Sequence, residues 1–178
     1  GAGGFPASQS FLEIKIAEAV QAVKDGADEV DIVLAHNAFN DGRYMDAAKE
    51  ISSINSAIKS IKKSVCLKVI LETGSLGSHE NIAKAAFLAM ESCADFIKTS
   101  TGKTEPAATP EAAVIMCECI AIWQQKTGKQ VGFKAAGGIS NATDAALYYG
   151  IVDTILGDKW LSPQRFRFGA SRLANNLI

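Results

Sequence analysis

The sequence lacks the features typical of membrane-spanning, secreted and nucleic-acid-binding proteins. Its 178 residues contain no apolar run close to the roughly 20 residues that cross a membrane. No signal-peptide pattern opens the chain, which begins GAGGFP without methionine and is therefore expected to be processed or trimmed. Runs of basic residues are missing and the net charge is −1, so we expect no nucleic-acid and no membrane partner.

Cysteine and histidine are also sparse, and their spacing is not that of a metal site. No CxxC pair occurs, and the two histidines, His36 and His79, lie apart from the cysteines. We therefore expect reduced thiols in a cytoplasmic protein rather than a disulfide or zinc framework, and no metal or cofactor. The four thiols belong to Cys66, Cys93, Cys117 and Cys119.

Apolar residues are plentiful: they make up 48% of the chain, enough for the core of one domain over residues 1–178. Strand-like runs begin near residues 29, 65, 94, 130 and 166, and a helical pattern fills each gap. Ser78, Thr109 and either Ser140 or Asn141 are expected to cap three of these helices. Repeated strand–helix units predict an α/β fold with a parallel sheet.

Two earlier helices are predicted over residues 12–24 and about 43–62, the second capped by Asn40 or Asp41. The GFP tripeptide is expected to be the tail of a preceding strand. The spacing of apolar residues predicts the buried faces of both helices. These are Leu12, Ile16, Ala19, Val20 and Val23 in the first, and Met45, Ala48, Ile51, Ile58 and Ile61 in the second.

Charged residues within the strands distinguish an open sheet from a closed barrel. An open sheet covered by helices on both faces would bury each charge at a cost of several kcal/mol. In a (β/α)₈ TIM barrel, inward side chains near the carboxyl ends of the strands face the active-site mouth. Strand alternation lets all of them point to one interior, so we favour the barrel. These residues are Asp31, Lys68, Lys98 and Lys134.

A buried lysine beside other lysines suits one kind of chemistry. Desolvation and neighbouring positive charge lower its pKa, and the neutral amine attacks a carbonyl to form a Schiff base. Lys98, at the end of ADFIK, is the candidate nucleophile, and Asp31 is the candidate for proton transfer. The alternative is an internal ion pair with a structural role.

Glycine turns that follow strands suggest a phosphate site. Backbone N–H groups at such turns and at helix N-termini bind phosphate, and barrels commonly hold it on the loops after their last two strands. Tight strand–helix turns are the alternative explanation. The turns lie in STGK, GFKAAGGIS and FRFGAS, with Gly102, Lys103, Gly137, Gly138, Gly169 and Ser171.

Several stretches together resemble the class I deoxyribose-phosphate aldolases. They are GFPA, GADEVDIV, LKVILETGSL, FIKTSTGK, ATPEAA, GFKAAGG and FRFGAS, which extend over essentially the whole chain. The resemblance implies a (β/α)₈ barrel without a metal. It also implies reversible cleavage of 2-deoxy-D-ribose 5-phosphate to D-glyceraldehyde 3-phosphate and acetaldehyde, in deoxyribonucleoside catabolism.

The resemblance also assigns roles to residues. Lys98 matches the Schiff-base lysine, Asp31 the proton-transfer aspartate and Lys134 the second lysine, which tunes the first. Substrate or phosphate binding is expected from Lys68, Thr101, Gly102, Lys103, Gly137, Gly138, Gly169 and Ser171.

The chain departs from the family pattern in three places. Ala135 replaces a usual proline and should loosen its turn, and Arg172 stands where a second hydroxyl residue is common. Family members carry about two further strand–helix units before GFP, so the barrel is expected to be N-terminally truncated. Such a sheet would have open edges, which predicts a homo-oligomer. Two alternatives are another Schiff-base aldolase of phosphorylated sugars, and a self-associating barrel fragment without full activity.

Overall fold

The computed structural model describes residues 2–176, in which six strands alternate with helices. The strands are β1 Ala2–Gly3, β2 Glu29–Val33, β3 Cys66–Ile70, β4 Phe96–Lys98, β5 Gly132–Ala136 and β6 Phe166–Gly169. The helices are α1 Leu12–Lys24, α2 His36–Asn40, α3 Tyr44–Ile61, α4 His79–Glu91, α5 Pro110–Thr127 and α6 Ala142–Leu156. Short 3₁₀ turns cover Thr73–Ser75, Asp158–Trp160 and Ala174–Asn176.

All six strands form one parallel sheet whose spatial order follows the chain, from β1 to β6. A side-chain contact between non-neighbouring strands shows that the sheet curls. Nη2 of Arg167 on β6 lies 2.8 Å from Oε1 of Glu29 on β2. Sequential parallel strands curled around an interior are the arrangement of a (β/α) barrel, which confirms the predicted fold class. The five predicted strands are present. The short β1 directly precedes the GFP tripeptide at residues 4–6, which itself forms a turn and is not the tail of the strand.

Alternate residues of each strand face the helices and form the hydrophobic core. These side chains are almost completely buried, and they pack against apolar residues of α1 and α3–α6. The opposite set of side chains faces the interior of the curled sheet, where the charged residues lie. The helix-facing set is Val30, Ile32, Leu67, Val69, Ile97, Phe133 and Ala135.

Three helices begin at the predicted capping residues. The side-chain oxygens of Ser78, Thr109 and Asn141 accept hydrogen bonds from backbone N–H groups three residues ahead, at 3.1, 3.2 and 2.9 Å. Pro110 occupies the first turn of α5, where its missing N–H is not needed. These caps fix where α4, α5 and α6 start after β3, β4 and β5, so they also set the length of the intervening loops.

Predictions for the first two helices were partly wrong. Asn40 is the last residue of an additional helix, α2, and α3 starts after Arg43 without a side-chain cap. The prediction that Asn40 or Asp41 caps this helix is therefore wrong. Met45 and Ile61 are 81% and 47% exposed rather than buried. The cause is the phase of α3, whose inward positions are Ala47, Ile51, Ile54 and Ile58.

Helix α1 is rotated relative to the predicted face, because it buries a lysine. Lys15 is 2% exposed, and its Nζ lies 2.6 Å from Oε1 of Glu50 on α3. Ala19 and Val23 share that face, whereas Leu12 and Ile16 are only half-buried. A lysine that keeps an ion pair can occupy such a position, which apolar spacing alone does not reveal.

The Ala135 prediction also needs correction. Ala135 lies within β5, fully buried and paired with Phe168 of β6, and not in a turn. Its small side chain belongs to the helix-facing core. The substitution therefore changes core packing and not the flexibility of the following loop.

Candidate active site

A single carboxylate, that of Asp31, contacts the side chains of all three strand lysines. Its Oδ2 atom lies 3.1 Å from the Nζ atoms of both Lys98 and Lys134, and its Oδ1 atom lies 3.2 Å from Nζ of Lys68. Four side chains from β2, β3, β4 and β5 therefore meet inside the curled sheet. The sequence predicted this meeting from strand alternation, and the structure brings all four together.

The register of the sheet explains why these side chains converge. Asp31 is paired with Lys68, and Lys98 is paired with Lys134 on the neighbouring strand. In-register residues of adjacent parallel strands point to the same face, so each pair projects inward. Long lysine side chains then bridge the two-residue offset between the pairs. The result is a nearly dry cluster, with Lys68 only 2% and Lys98 only 8% exposed.

The cluster shifts the pKa values of its members in opposite directions. Burial raises the pKa of Asp31, but Lys98, Lys134 and Lys68 outweigh it and lower that pKa to about 2. Burial is the main cause that lowers the pKa of Lys98 below its usual 10.5; Asp31 opposes this effect, whereas Lys134 and Lys68 add to it. Asp31 is therefore ionised near neutral pH, and Lys98 forms its neutral amine more readily than a lysine in water does.

A second layer of charge lies below the first, and sequence reasoning missed it. Glu29 Oε2 lies 2.5 Å from Nζ of Lys68, and Arg167 binds the other oxygen of Glu29. The Lys68 ammonium and the Arg167 guanidinium lie 5.9 and 5.7 Å from the centre of the Phe96 ring. Burial lowers the pKa of Lys68, but Glu29 and Asp31 together raise it above 10.5. Lys68 thus holds its proton more firmly than Lys98 does.

A cavity of about 580 Å³ opens beside Lys98 at the carboxyl ends of β4, β5 and β6. Every residue predicted to bind substrate or phosphate lines this cavity except Lys68, whose ammonium contacts Asp31 in the interior cluster. Arg172, the unusual residue after GAS, also lines it. Besides Lys98 and Arg172, the lining includes Thr101, Gly102, Lys103, Gly137, Gly138, Gly169 and Ser171.

The glycines let two turns of this cavity touch. Gly102, Gly137 and Gly138 have φ values of +75°, +92° and +79°, which L side chains rarely adopt. A Cβ atom on Gly137 would lie 2.6 Å from Cβ of Ala107 and 3.2 Å from Cα of Gly102. Glycine is therefore required at Gly137 both for its conformation and for the close approach of the two turns.

A groove of about 920 Å³ between α3 and α4 is larger, but it is on the outer helices. Its lining is mainly apolar, with Tyr44, Met45, Phe87 and Leu88. The strand lysines and their carboxylate are absent from this lining. Because buried, perturbed titratable groups mark reactive sites, the chemistry favours the cavity beside Lys98.

The described part of the chain contains neither a metal-binding cluster nor a membrane-spanning helix. Within residues 2–176, no three or more His, Cys, Asp and Glu side chains are grouped so as to hold a metal ion. No helix in the same range is both long and apolar enough to cross a membrane. The four cysteines are free thiols, of which Cys93 is exposed and Cys117 and Cys119 are buried.

The fold and the interior cluster define a (β/α)-barrel protein with a lysine-rich site at the carboxyl ends of its strands. A family model described as DeoC/LacD family aldolase matches residues 2–154. The chain therefore belongs to the DeoC/LacD family of aldolases, as its sequence motifs predicted.

Individual relatives agree with this family. The deoxyribose-phosphate aldolase of Homo sapiens is 41% identical over 176 residues, which cover 99% of this chain and 54% of that protein. The Bos taurus enzyme is 42% identical over 172 residues, covering 97% and 53%. The tetrameric deoxyribose phosphate aldolase of Aeropyrum pernix superposes with a TM-score of 0.72 at 27% identity, covering 94% of this chain and 62% of that one. The chain thus spans about half the length of the curated relatives it matches.

Proposed function

We propose that this chain carries the Schiff-base site of a deoxyribose-phosphate aldolase, which cleaves 2-deoxy-D-ribose 5-phosphate reversibly to D-glyceraldehyde 3-phosphate and acetaldehyde. One observation supports this most directly. Lys98 is a buried lysine with a lowered pKa, it contacts Asp31, and it borders the glycine-lined cavity. A nucleophilic amine and an anion-binding surface are the two requirements of this substrate.

In the proposed reaction, neutral Lys98 attacks the C1 aldehyde of the open-chain sugar, and uptake of one proton with loss of water gives an iminium ion. Cleavage of the C2–C3 bond sends its electron pair to the iminium nitrogen, forming an enamine. The proton of the C3 hydroxyl leaves at the same time, and the glyceraldehyde phosphate carbonyl forms. Protonation of the enamine at C2 and hydrolysis then release acetaldehyde and the free amine.

Asp31 is the group proposed to move protons in these steps. Its pKa of about 2 keeps it ionised in the resting site, so it starts as a proton acceptor and not a donor. Lys134 shares its Oδ2 atom and is proposed to hold it in place and to keep positive charge beside Lys98. Lys68, which forms an ion pair with Glu29, is proposed to supply a fixed positive charge to the same cluster.

The reactive lysine can be tested by borohydride reduction in the presence of acetaldehyde, followed by peptide mass spectrometry. The expected result is a two-carbon adduct on Lys98 that disappears in Lys98→Arg. Lys59→Arg is the matched control, because Lys59 pairs with Asp95 outside the interior cluster. An adduct yield that is undiminished in Lys98→Arg would refute the assignment.

The overall reaction needs its own measurement, since other phosphorylated sugars could use the same amine. Comparing the cleavage of 2-deoxyribose 5-phosphate with that of other sugar phosphates tests the substrate. Trapping on Lys98 without turnover of any sugar would favour the incomplete barrel, in which the nucleophile is present but the pocket is not.

We further propose a cytoplasmic homo-oligomer built from one aldolase barrel domain over residues 1–178. The sheet has two strand edges within the described residues, at β1 and β6, which can pair with other chains. The tetrameric relative from Aeropyrum pernix is consistent with association. Light scattering measured beside the activity tests this part; a monodisperse monomer of 18.8 kDa would contradict it.

A further inference from the structure

Glu72 follows β3 by two residues and combines two unfavourable features. It is 3% exposed, and its φ and ψ angles of +50° and +61° place a non-glycine residue in the left-handed region. A buried carboxylate is stable only with hydrogen-bond donors around it, and strained backbone persists where the surroundings hold it. Both features imply that the position of this carboxylate matters.

The carboxylate holds one residue of the turn after β4 with both of its oxygens. Oε1 accepts a hydrogen bond from the backbone N–H of Thr101 at 3.1 Å, and Oε2 accepts one from its hydroxyl at 2.5 Å. The hydroxyl oxygen in turn accepts the backbone N–H of Lys103 at 3.1 Å. A chain of three hydrogen bonds therefore runs from Glu72 through Thr101 to Lys103.

This chain changes the role expected of Thr101. Its N–H and its hydroxyl hydrogen are both directed to Glu72, so neither is available to bind a ligand. The groups of this turn that remain for an anion are the N–H of Gly102 and the ammonium of Lys103. Gly102 lies against Gly137 of the neighbouring turn, so its position also affects that turn.

We propose that Glu72 is a positioning residue that acts through Thr101 to hold the 101–103 turn in the shape that binds the substrate phosphate. The inference rests on the proposed function, because it assumes that this cavity takes a phosphate ester. It separates two parts of the site: Glu72 acts on phosphate binding, whereas imine formation at Lys98 does not depend on it.

A purely structural role is the competing explanation. The backbone of Glu72 also helps to form the Thr73–Ser75 turn, since its carbonyl accepts the N–H of Ser75 at 2.8 Å. A side chain that merely supports folding would change stability, but it would not change phosphate affinity separately from amine reactivity. The experiment therefore measures both properties on the same variants.

The variants are Glu72→Gln, Thr101→Val, Thr101→Ser and the double variant Glu72→Gln/Thr101→Val. Glutamine keeps the size of Glu72 but offers one acceptor where Thr101 presents two donors. Glu50→Gln is the matched control, because Glu50 is a half-buried carboxylate with a lysine partner outside the cavity. The first readout is the affinity for inorganic phosphate by calorimetry, and the second is the rate of borohydride trapping with acetaldehyde.

Glu72→Gln should weaken phosphate binding roughly 10-fold or more, as expected for a lost hydrogen bond to a charged group. Where turnover is measurable, KM for 2-deoxyribose 5-phosphate should rise similarly while trapping at Lys98 stays within about twofold. Thr101→Val should have the same effect, Thr101→Ser should restore binding, and the double variant should be no worse than either single one. Glu50→Gln should leave phosphate affinity unchanged.

Equal losses of trapping and phosphate affinity in Glu72→Gln would overturn the proposal, and so would additive losses in the double variant. Unchanged phosphate affinity in folded Thr101→Val would also overturn the proposal, and this result does not depend on Glu72→Gln. Absence of phosphate binding by the unaltered chain would overturn it as well. Failure of the proposed function has a different outcome: phosphate binds in a Glu72-dependent way, but no adduct forms on Lys98.

Discussion

Removing the charge of Lys134 should raise the pKa of Lys98 and slow imine formation. The Nζ atoms of both lysines lie 3.1 Å from the same Oδ2 atom of Asp31, so they are at most about 6 Å apart. At that separation, and at an effective dielectric constant of about 20, two unit charges repel by about 3 kcal/mol. Since about 1.4 kcal/mol corresponds to a tenfold change in a protonation equilibrium, Lys134→Met should raise the Lys98 pKa and lower the fraction of neutral amine roughly 10–100-fold. The freed carboxylate also turns more fully to Lys98, which acts in the same direction.

The assay is the initial rate of acetaldehyde trapping on Lys98 with cyanoborohydride, measured as a function of pH. The rate follows the fraction of neutral amine, so it rises with pH until the Lys98 pKa is passed. In Lys134→Met the whole curve should move to higher pH, and the rate at one pH on the rising limb should fall about 10–100-fold. Lys134→Arg keeps the charge and should move the curve less, whereas Lys59→Met, outside the interior cluster, should not move it. An unmoved midpoint in Lys134→Met would refute the electrostatic account of Lys98.

Two further predictions concern the stability of the folded chain. Gly137→Ala should lower the free energy of unfolding more than Gly138→Ala does, by about 1–3 kcal/mol. Both have positive φ, but only at Gly137 would the new Cβ lie 2.6 Å from Ala107; equal urea midpoints would contradict this. The lowered pKa of Asp31 means that its stabilising effect is complete above about pH 4 and is lost as the pH falls towards 2. The difference in unfolding free energy between the unaltered chain and Asp31→Asn should therefore shrink by about 2 kcal/mol from pH 5 to pH 2.5. The exposed Asp46→Asn control should show little such change, and a difference independent of pH would show that the lysines do not stabilise ionised Asp31.

The part of the site that could be predicted from sequence depends on strand periodicity. Alternation fixes which side chains share a face, so Asp31, Lys68, Lys98 and Lys134 could be assigned to one interior without coordinates. Glycine turns after strands similarly located the cavity residues Gly102, Gly137 and Gly138. Both inferences use local geometry that hardly varies between proteins.

Contacts between distant segments could not be predicted in the same way. Glu29 has the same alternation as Asp31 and could have been assigned to the interior, but its partner Arg167 is 138 residues away. Glu72 follows a strand in a loop, where alternation gives no direction, and its contact with Thr101 depends on the path of two loops. Helical spacing also failed for α1, because Lys15 occupies an inward position through its ion pair with Glu50.

The charges of the interior cluster bear on where the proposed phosphate site can lie relative to Lys98. Inside the curled sheet, Asp31 and Glu29 face four cations: Lys68, Lys98, Lys134 and Arg167. Burial is the main cause that lowers the pKa of Lys98; Asp31 opposes it, and the positive charges of Lys134 and Lys68 limit that opposition. A phosphate dianion close to that amine would raise the pKa again and oppose the formation of the nucleophile. Two exposed cations that line the cavity, Lys103 and Arg172, can balance the phosphate charge locally. The same lining carries the turn that Glu72 holds through Thr101, so the proposed role of that turn is to place the phosphate where these cations, and not the Lys98 amine, balance its charge.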